Sequence, residues 1–184
     1  MVTHVTYVGL LRGVNIGRSK RIAMADLRAL VEQLGYHNVR TLLNSGNVVF
    51  TGSTAPPSRI AGTIEAALIS RLGVAAKVFV LTASELAAAA AANPLLGAAT
   101  NPSRLVLAVP SSPKDMVRMR PLLEKDWTPE ALAAGPRAAY FWCPGGFIDS
   151  PVAEAVRRTF GDAVTMRNWA TVGKLLTRSA KARG

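Results

Sequence analysis

The pattern of apolar and polar positions along the chain predicts strands and helices in alternation. Residues 3–11 are rich in apolar and β-branched side chains, which is typical of a strand. Apolar side chains then recur at helical spacing from Met24 to Leu34, and Gly35 stands where a helix-ending glycine is common. The apolar runs 39–43 and 48–51 enclose Asn44-Ser45-Gly46-Asn47, so this segment predicts a hairpin.

The first half continues with two helices separated by a strand. Pro56-Pro57-Ser58 opens a helix that closes near Gly73, and residues 77–81 form a strand. An alanine-rich helix follows, because Thr82 and Glu85 have the spacing of a capping box, and it ends before Pro94. The first half therefore has the order strand, helix, hairpin, helix, strand, helix.

The second half repeats this order with different residues. Residues 104–109 predict a strand, Ser112-Pro113 a helix start, and the runs 138–142 and 147–148 a hairpin around Pro144-Gly145-Gly146. A short helix from Ser150-Pro151 to Gly161 and a strand at 163–166 follow. Asn168 caps the last helix, in which we expect Trp169 to be a core residue.

This repeated order predicts the fold class. The β-α-β-β-α-β pattern is that of a ferredoxin-like unit, with two helices on one face of a four-stranded antiparallel sheet. We therefore expect an α+β protein with two ferredoxin-like subdomains in a tandem structural repeat. Two Asn/Pro pairs and a glycine within 93–102 place the boundary there, giving subdomains 1–97 and 98–184, the second with a basic C-terminal helix.

Charge changes the picture by favouring an anionic partner. The 184 residues include 22 lysines and arginines against 11 acidic residues, so the net charge is +11. Such an excess favours nucleic acid or a phosphorylated ligand, although the coding bias of a GC-rich bacterial genome explains it equally well. The single cysteine excludes an internal disulfide, and no stretch of sequence is long and apolar enough to span a bilayer. We therefore expect a cytoplasmic protein without a membrane partner.

Four short strings carry a family resemblance when they are taken in order. They are Leu10–Gly17, Met24–Leu27, Asn44–Phe50 and Met166–Leu175. Their order and separations resemble the bacterial domain-of-unknown-function family 1697. The resemblance implies two ferredoxin-like subdomains and no established activity. Members often carry a second glycine after the glycine of the first loop, where this chain has Arg18.

Two segments are candidates for binding an anion. The first loop, residues 12–21, combines glycines with basic side chains, and glycine lets backbone N–H groups approach a phosphate. Its spacing is neither that of a Walker A loop nor that of a dinucleotide fingerprint. The second segment is the start and basic face of the last helix. The candidate anion-binding residues are Arg12, Gly13, Asn15, Gly17, Arg18, Lys20, Arg21, Arg167, Asn168, Lys174 and Arg178.

No catalytic, metal or cofactor site is indicated by the sequence. His4, His37 and Cys143 stand far apart without metal-ligand spacing. Ser45 has no nucleophile elbow around it, and turn chemistry accounts for its string. We expect Cys143 to be a buried apolar residue. The sequence therefore predicts no cofactor and no metal, and it leaves the catalytic residues unknown.

Three functional hypotheses stay open. The first is a binding protein in which the first loop and the start of the last helix converge on one positive pocket. The second is an enzyme that acts on a nucleotide or a phosphorylated substrate with the same loop as clamp. The third is a structural or oligomeric module without a ligand. The sequence gives no oligomeric state.

Overall fold

The computed structural model describes residues 4–16 and 20–182. Within these residues the strands and helices follow the predicted order closely. The strands are β1 His4–Arg12, β2 His37–Leu42, β3 Asn47–Ser53, β4 Lys77–Thr82, β5 Leu105–Pro110, β6 Ala131–Ala134, β7 Ala139–Trp142 and β8 Val164–Asn168. The helices are α1 Met24–Gln33, α2 Pro57–Leu72, α3 Ala83–Ala91, α4 Arg120–Leu123, α5 Pro151–Phe160 and α6 Trp169–Lys181.

Both sheets have the ferredoxin-like strand order, which confirms the predicted fold class. The first sheet has the order β2-β3-β1-β4 and the second β6-β7-β5-β8. Every neighbouring pair of strands is antiparallel. The chain is thus an α+β protein with two similar sheets and flanking helices.

The chain divides into two compact units whose limits differ from the predicted subdomains. One unit is Met1–Leu86 together with Lys174–Gly184, and the other is Ala87–Gly173. The sequence placed the division near 97/98, where proline and asparagine cluster. Helices α3 and α6 each contribute residues to both units, and local composition does not show this. The extents 1–97 and 98–184 stay a prediction about folding subdomains.

Residues on both faces of the first sheet are buried. Helices α1 and α2 cover one face, and Leu27, Phe50 and Ile64 are fully buried in the cluster between them. Val8 and Val49, on the opposite face, are also fully buried. Helix α2 begins at Pro57, which suits a first helical position, and it ends at Gly73, whose φ of 66° is left-handed.

The predicted capping box of α3 forms as expected, and the predicted start of α5 carries a cap. The Glu85 carboxylate accepts a hydrogen bond from the Thr82 backbone N–H at 2.7 Å, and the Thr82 hydroxyl accepts one from the Glu85 N–H at 3.0 Å. Ser150 caps α5 by accepting a hydrogen bond from the Ala153 N–H at 3.0 Å. These bonds satisfy N–H groups that have no partner within their own helix.

The second hairpin is where the prediction was wrong. The structure pairs β6 with β7 around residues 135–138, so Phe147 and Ile148 are not strand residues. Alanine is uncommon in strands, and the pattern at Ala131–Ala134 therefore gave no strand signal. The helix predicted from Pro113 is also different, because residues 113–119 form a 3₁₀ helix and only the four residues of α4 are α-helical.

Candidate functional site

The first loop begins at the end of β1 and is held by the side chain of Asn15. The Asn15 Oδ1 accepts a hydrogen bond from the Ile22 backbone N–H at 2.8 Å, and the Asn15 Nδ2 donates one to the Ile22 carbonyl at 2.8 Å. The same Nδ2 donates a second bond to the Asn44 carbonyl at 2.7 Å. Asn15 adopts a φ of 56°, a left-handed conformation that asparagine tolerates better than most residues. Its side chain therefore shapes the loop.

The loop lies against the turn that joins β2 to β3. The Leu11 N–H donates a hydrogen bond to the Gly46 carbonyl at 2.8 Å. Gly46 has a φ of 76°, and a Cβ at this position would lie 2.7 Å from side-chain atoms of both Leu11 and Val14. Two of the sequence strings that carry the family resemblance are thus in direct contact, although they are separated by about thirty residues.

Three described basic residues of the loop are close to this contact in sequence. Lys20 and Arg21 are exposed, and Arg12 is half-buried at the end of β1. Arg12 stands opposite Lys77 of β4 in the sheet, and the Lys77 Nζ lies 3.5 Å from a carboxylate oxygen of Glu65. Gly13 is exposed, with a φ of 70° and open space where a Cβ would project. Gly17 and Arg18, which the sequence analysis included in the site, lie outside the described residues.

The start of the last helix belongs to the second unit. Asn168 caps α6, since its Oδ1 accepts a hydrogen bond from the Thr171 N–H at 2.9 Å. The Trp169 and Ala170 N–H groups both donate to the Pro102 carbonyl, at 2.9 and 3.3 Å. The first N–H groups of α6 therefore already have protein partners, and they offer little to an anion.

Arg167 is a strand residue. Its guanidinium donates hydrogen bonds to the Thr165 hydroxyl at 3.0 Å and to the Met166 carbonyl at 2.9 Å. Burial lowers the pKa of Arg167 to about 10. Lys174 and Arg178 lie further along α6 and are exposed, and Trp169 is only partly buried. The convergence of this segment with the first loop stays a prediction.

Comparison with known proteins places the chain in a family. A family model described as "Protein of unknown function (DUF1697)" matches residues 5–140, which is most of the chain. The chain belongs to the DUF1697 family. No curated protein matches it.

A solved structure supports the fold of this DUF1697 protein. It is similar to SP0830, a conserved bacterial protein from Streptococcus pneumoniae, with 20% sequence identity and a TM-score of 0.78 over 96% of this chain and 99% of that one. At this identity the likeness concerns the fold alone. TA0507, provisionally described as a chlorite dismutase, matches 95% of this chain and 98% of its own at 14% identity, but its TM-score of 0.24 carries no argument.

Cys143 of the DUF1697 protein is buried, as predicted. Burial and the nearby Glu130 carboxylate raise the pKa of its thiol to about 11, although a hydrogen bond with Ser150 partly opposes the shift. Glu130 also accepts hydrogen bonds from the Ser150 hydroxyl and the Val152 N–H, both at 2.9 Å. Glu130 and Ser150 therefore stabilise the start of α5, and the Cys143 thiol stays in its unreactive protonated form.

We expect the Cys143 thiol to resist iodoacetamide in the native protein at neutral pH and to react fully in concentrated urea. The pKa of the Cys143 thiol in the folded protein lies above the value of about 8.5 for an unfolded thiol. This group therefore contributes its full stabilisation of the folded state at pH values below about 8.5. That contribution is lost as the pH rises towards 11. The free energy of unfolding, measured against pH, should fall over this window less steeply in Cys143→Ala. Rapid labelling of native protein would contradict the assignment.

The histidine pair of the first unit and the cleft beside it carried no sequence signal for a site. Within residues 4–16 and 20–182, no three histidine, cysteine or acidic side chains gather as metal ligands, and no helix has the length and apolar character needed to cross a membrane. The two histidines, which are 33 positions apart, nevertheless meet beside a cleft at the start of β1, at the opposite end of that strand from the first loop. Spacing along the chain could not show this.

Proposed function

We propose that the DUF1697 protein binds an anionic ligand, either a nucleic acid or a phosphorylated small molecule, through its basic first loop. The observation that carries the proposal is the set of three hydrogen bonds from the Asn15 side chain. They fix the backbone at Asn15 and Ile22, on either side of the loop, before any ligand arrives. A backbone segment that is already ordered loses less conformational entropy when it binds.

The charge around the loop supports this choice of ligand. The first unit has four acidic residues, and three of them are engaged with other groups of the unit. Glu32 pairs with Arg28 at 2.9 Å, Glu65 with Lys77 at 3.5 Å, and Glu85 caps α3. The fourth, Asp26, lies in the first turn of α1. Basic residues outnumber these acidic residues in the unit, which favours an anionic ligand.

The proposal gives the predicted site residues different roles. Lys20, Arg21 and Arg12 supply charge, and Gly13 leaves room for the ligand at the backbone. Gly17 and Arg18 belong to the proposed site by their place in the sequence alone. Asn15 is a positioning residue. Lys174 and Arg178 add exposed positive charge on α6, whereas Asn168 and Arg167 are already engaged within the second unit. A nucleic acid or phosphorylated metabolite as ligand is consistent with a cytoplasmic location.

Fluorescence anisotropy with single-stranded RNA and with duplex DNA tests the proposal at two salt concentrations. We expect micromolar binding that weakens as salt rises, because phosphate contacts release counterions. Lys20→Ala and Arg21→Ala should each weaken binding and reduce the salt slope by about 1. Arg59→Ala is the matched control, since Arg59 is an exposed arginine near the start of α2 and should leave binding unchanged.

The result also separates the remaining hypotheses. If no nucleic acid binds, thermal shift with nucleotides and sugar phosphates tests a small ligand, because a ligand that binds only the folded state raises the melting temperature. Stabilisation that Lys20→Ala and Arg21→Ala abolish supports the loop as clamp, for a binding protein or for an enzyme. Absence of both effects contradicts the proposal and favours the ligand-free module.

A further inference from the structure

A second polar site lies at the other end of β1, and it is independent of the proposed function. A cleft of about 590 Å³ opens in the first unit, a volume in the range of small-molecule sites. Six polar side chains line it, together with Val5 and Ala182. They are His4, Thr6, His37, Asn38, Thr51 and Ser84.

The sheet itself brings the two histidines together. β3 lies between β1 and β2, and its residues Thr51 and Ser53 stand opposite His37 and His4, respectively. The imidazole rings have centroids 6.4 Å apart and planes tilted by 49°. Both histidines are exposed, so a ligand in the cleft can reach them. These are the two histidines of the chain.

Two largely buried threonines are among the residues that line the cleft. Thr6 and Thr51 are directly paired across β1 and β3, and they are 7% and 6% exposed. The Thr51 hydroxyl donates a hydrogen bond to the His37 carbonyl and accepts one from the Asn38 Nδ2, both at 3.2 Å. Thr51 thus holds in place the strand segment that carries His37.

The edge strand is distorted at this point. The pairing register of β2 shifts between His37 and Arg40, and Asn38 adopts a left-handed φ of 52°. An irregularity of this kind changes the direction of side chains on an edge strand, and such features are common beside functional sites. Here it brings His37 and Asn38 to the same cleft as His4.

The chemistry of the lining selects the ligand. Imidazole, hydroxyl and carboxamide groups all donate hydrogen bonds, and none of the lining residues is acidic. A divalent cation would find two imidazoles but no carboxylate, in a chain of net charge +11. We propose that this cleft binds a small molecule through an oxyanion group, a phosphoryl or carboxylate, which accepts hydrogen bonds from His4, His37 and the Thr6 hydroxyl.

Nuclear magnetic resonance of the isotopically labelled full chain tests the site. We expect sodium phosphate or sodium acetate to shift the imidazole C–H signals of His4 and His37 and the amide signals of Thr6 and Thr51, in a saturable way. Sodium chloride at equal ionic strength should not do so. A preference for phosphate identifies a phosphoryl ligand, and a preference for acetate a carboxylate.

Substitutions then assign the contacts. His4→Gln and His37→Gln should each raise the Kd of the preferred anion about tenfold, which corresponds to the loss of one charge-assisted hydrogen bond. Ser53→Ala is the matched control, because Ser53 is exposed beside His4 in the sheet but does not line the cleft. Lys20→Ala should leave these shifts unchanged, which separates this cleft from the first loop.

Three results would overturn the inference. The first is the absence of saturable shifts with either anion. The second is an equal response to chloride. The third is tight binding of Zn²⁺ to the histidine pair without any anion response, which would assign the cleft to a metal ion.

Discussion

Gly46→Ala is expected to lower the free energy of unfolding by about 2 to 5 kcal/mol. A left-handed φ costs a residue with a Cβ about 1 to 2 kcal/mol, and forcing an extra methyl group into a packed site costs about 1 to 3 kcal/mol. Both apply here, because Gly46 has a φ of 76° and its Cβ would lie 2.7 Å from atoms of Leu11 and Val14. Urea denaturation monitored by circular dichroism measures the change.

Gly13→Ala provides the matched control for this prediction. Gly13 has a similar φ of 70°, but nothing lies within 4 Å of a Cβ placed there. We expect Gly13→Ala to lower the free energy of unfolding only by the conformational cost of a left-handed φ, about 1 to 2 kcal/mol. The difference between the two variants isolates the close approach of the turn to the first loop. Equal losses would mean that Leu11 and Val14 move aside without cost.

Asn15→Asp is expected to lower the free energy of unfolding by about 2 to 4 kcal/mol. The substitution keeps the oxygen that accepts from the Ile22 N–H and preserves tolerance of a left-handed φ. It replaces the Nδ2 that donates to the Ile22 and Asn44 carbonyls with an oxygen. Two hydrogen bonds are lost, and two carbonyls then face an acceptor, which is more costly than simple removal of a bond.

Asn44→Asp is the control for the Asn15 prediction. Asn44 takes part in the contact through its backbone carbonyl, and its side chain is exposed. The same chemical change should therefore alter stability by less than about 0.5 kcal/mol. The two variants have the same net charge, so a general electrostatic effect cancels between them. If both variants lose equal stability, the Asn15 side chain does not hold the loop.

The elements that the sequence predicted well are those with strong local signals. Helix α2 is bounded by Pro57 and Gly73, and α3 opens on the capping box of Thr82 and Glu85. These features act within a few residues, so a local pattern contains them. The hairpin of β6 and β7 was missed because Ala131–Ala134 is alanine-rich, and alanine gives no local strand signal. These residues form a strand because they pair with β7, and the local sequence pattern does not contain that pairing.

The candidate site shows the same division between local and distant information. The sequence predicted Asn15 as an anion ligand because it lies in a glycine-containing loop. Its actual partners are 7 and 29 positions away, and only the folded backbone brings their carbonyls to its side chain. His4 and His37 were dismissed for lack of ligand spacing, yet the sheet order places them beside one cleft.

The division of the chain has a consequence for synthesis on the ribosome. Residues 1–86 emerge first, but the compact unit to which they belong also includes residues 174–184. The intervening unit, residues 87–173, is continuous in sequence, so all its residues are synthesised before residues 174–184. We therefore expect residues 87–173 to form a complete unit first. The other unit becomes complete only after the last turns of α6 have left the exit tunnel.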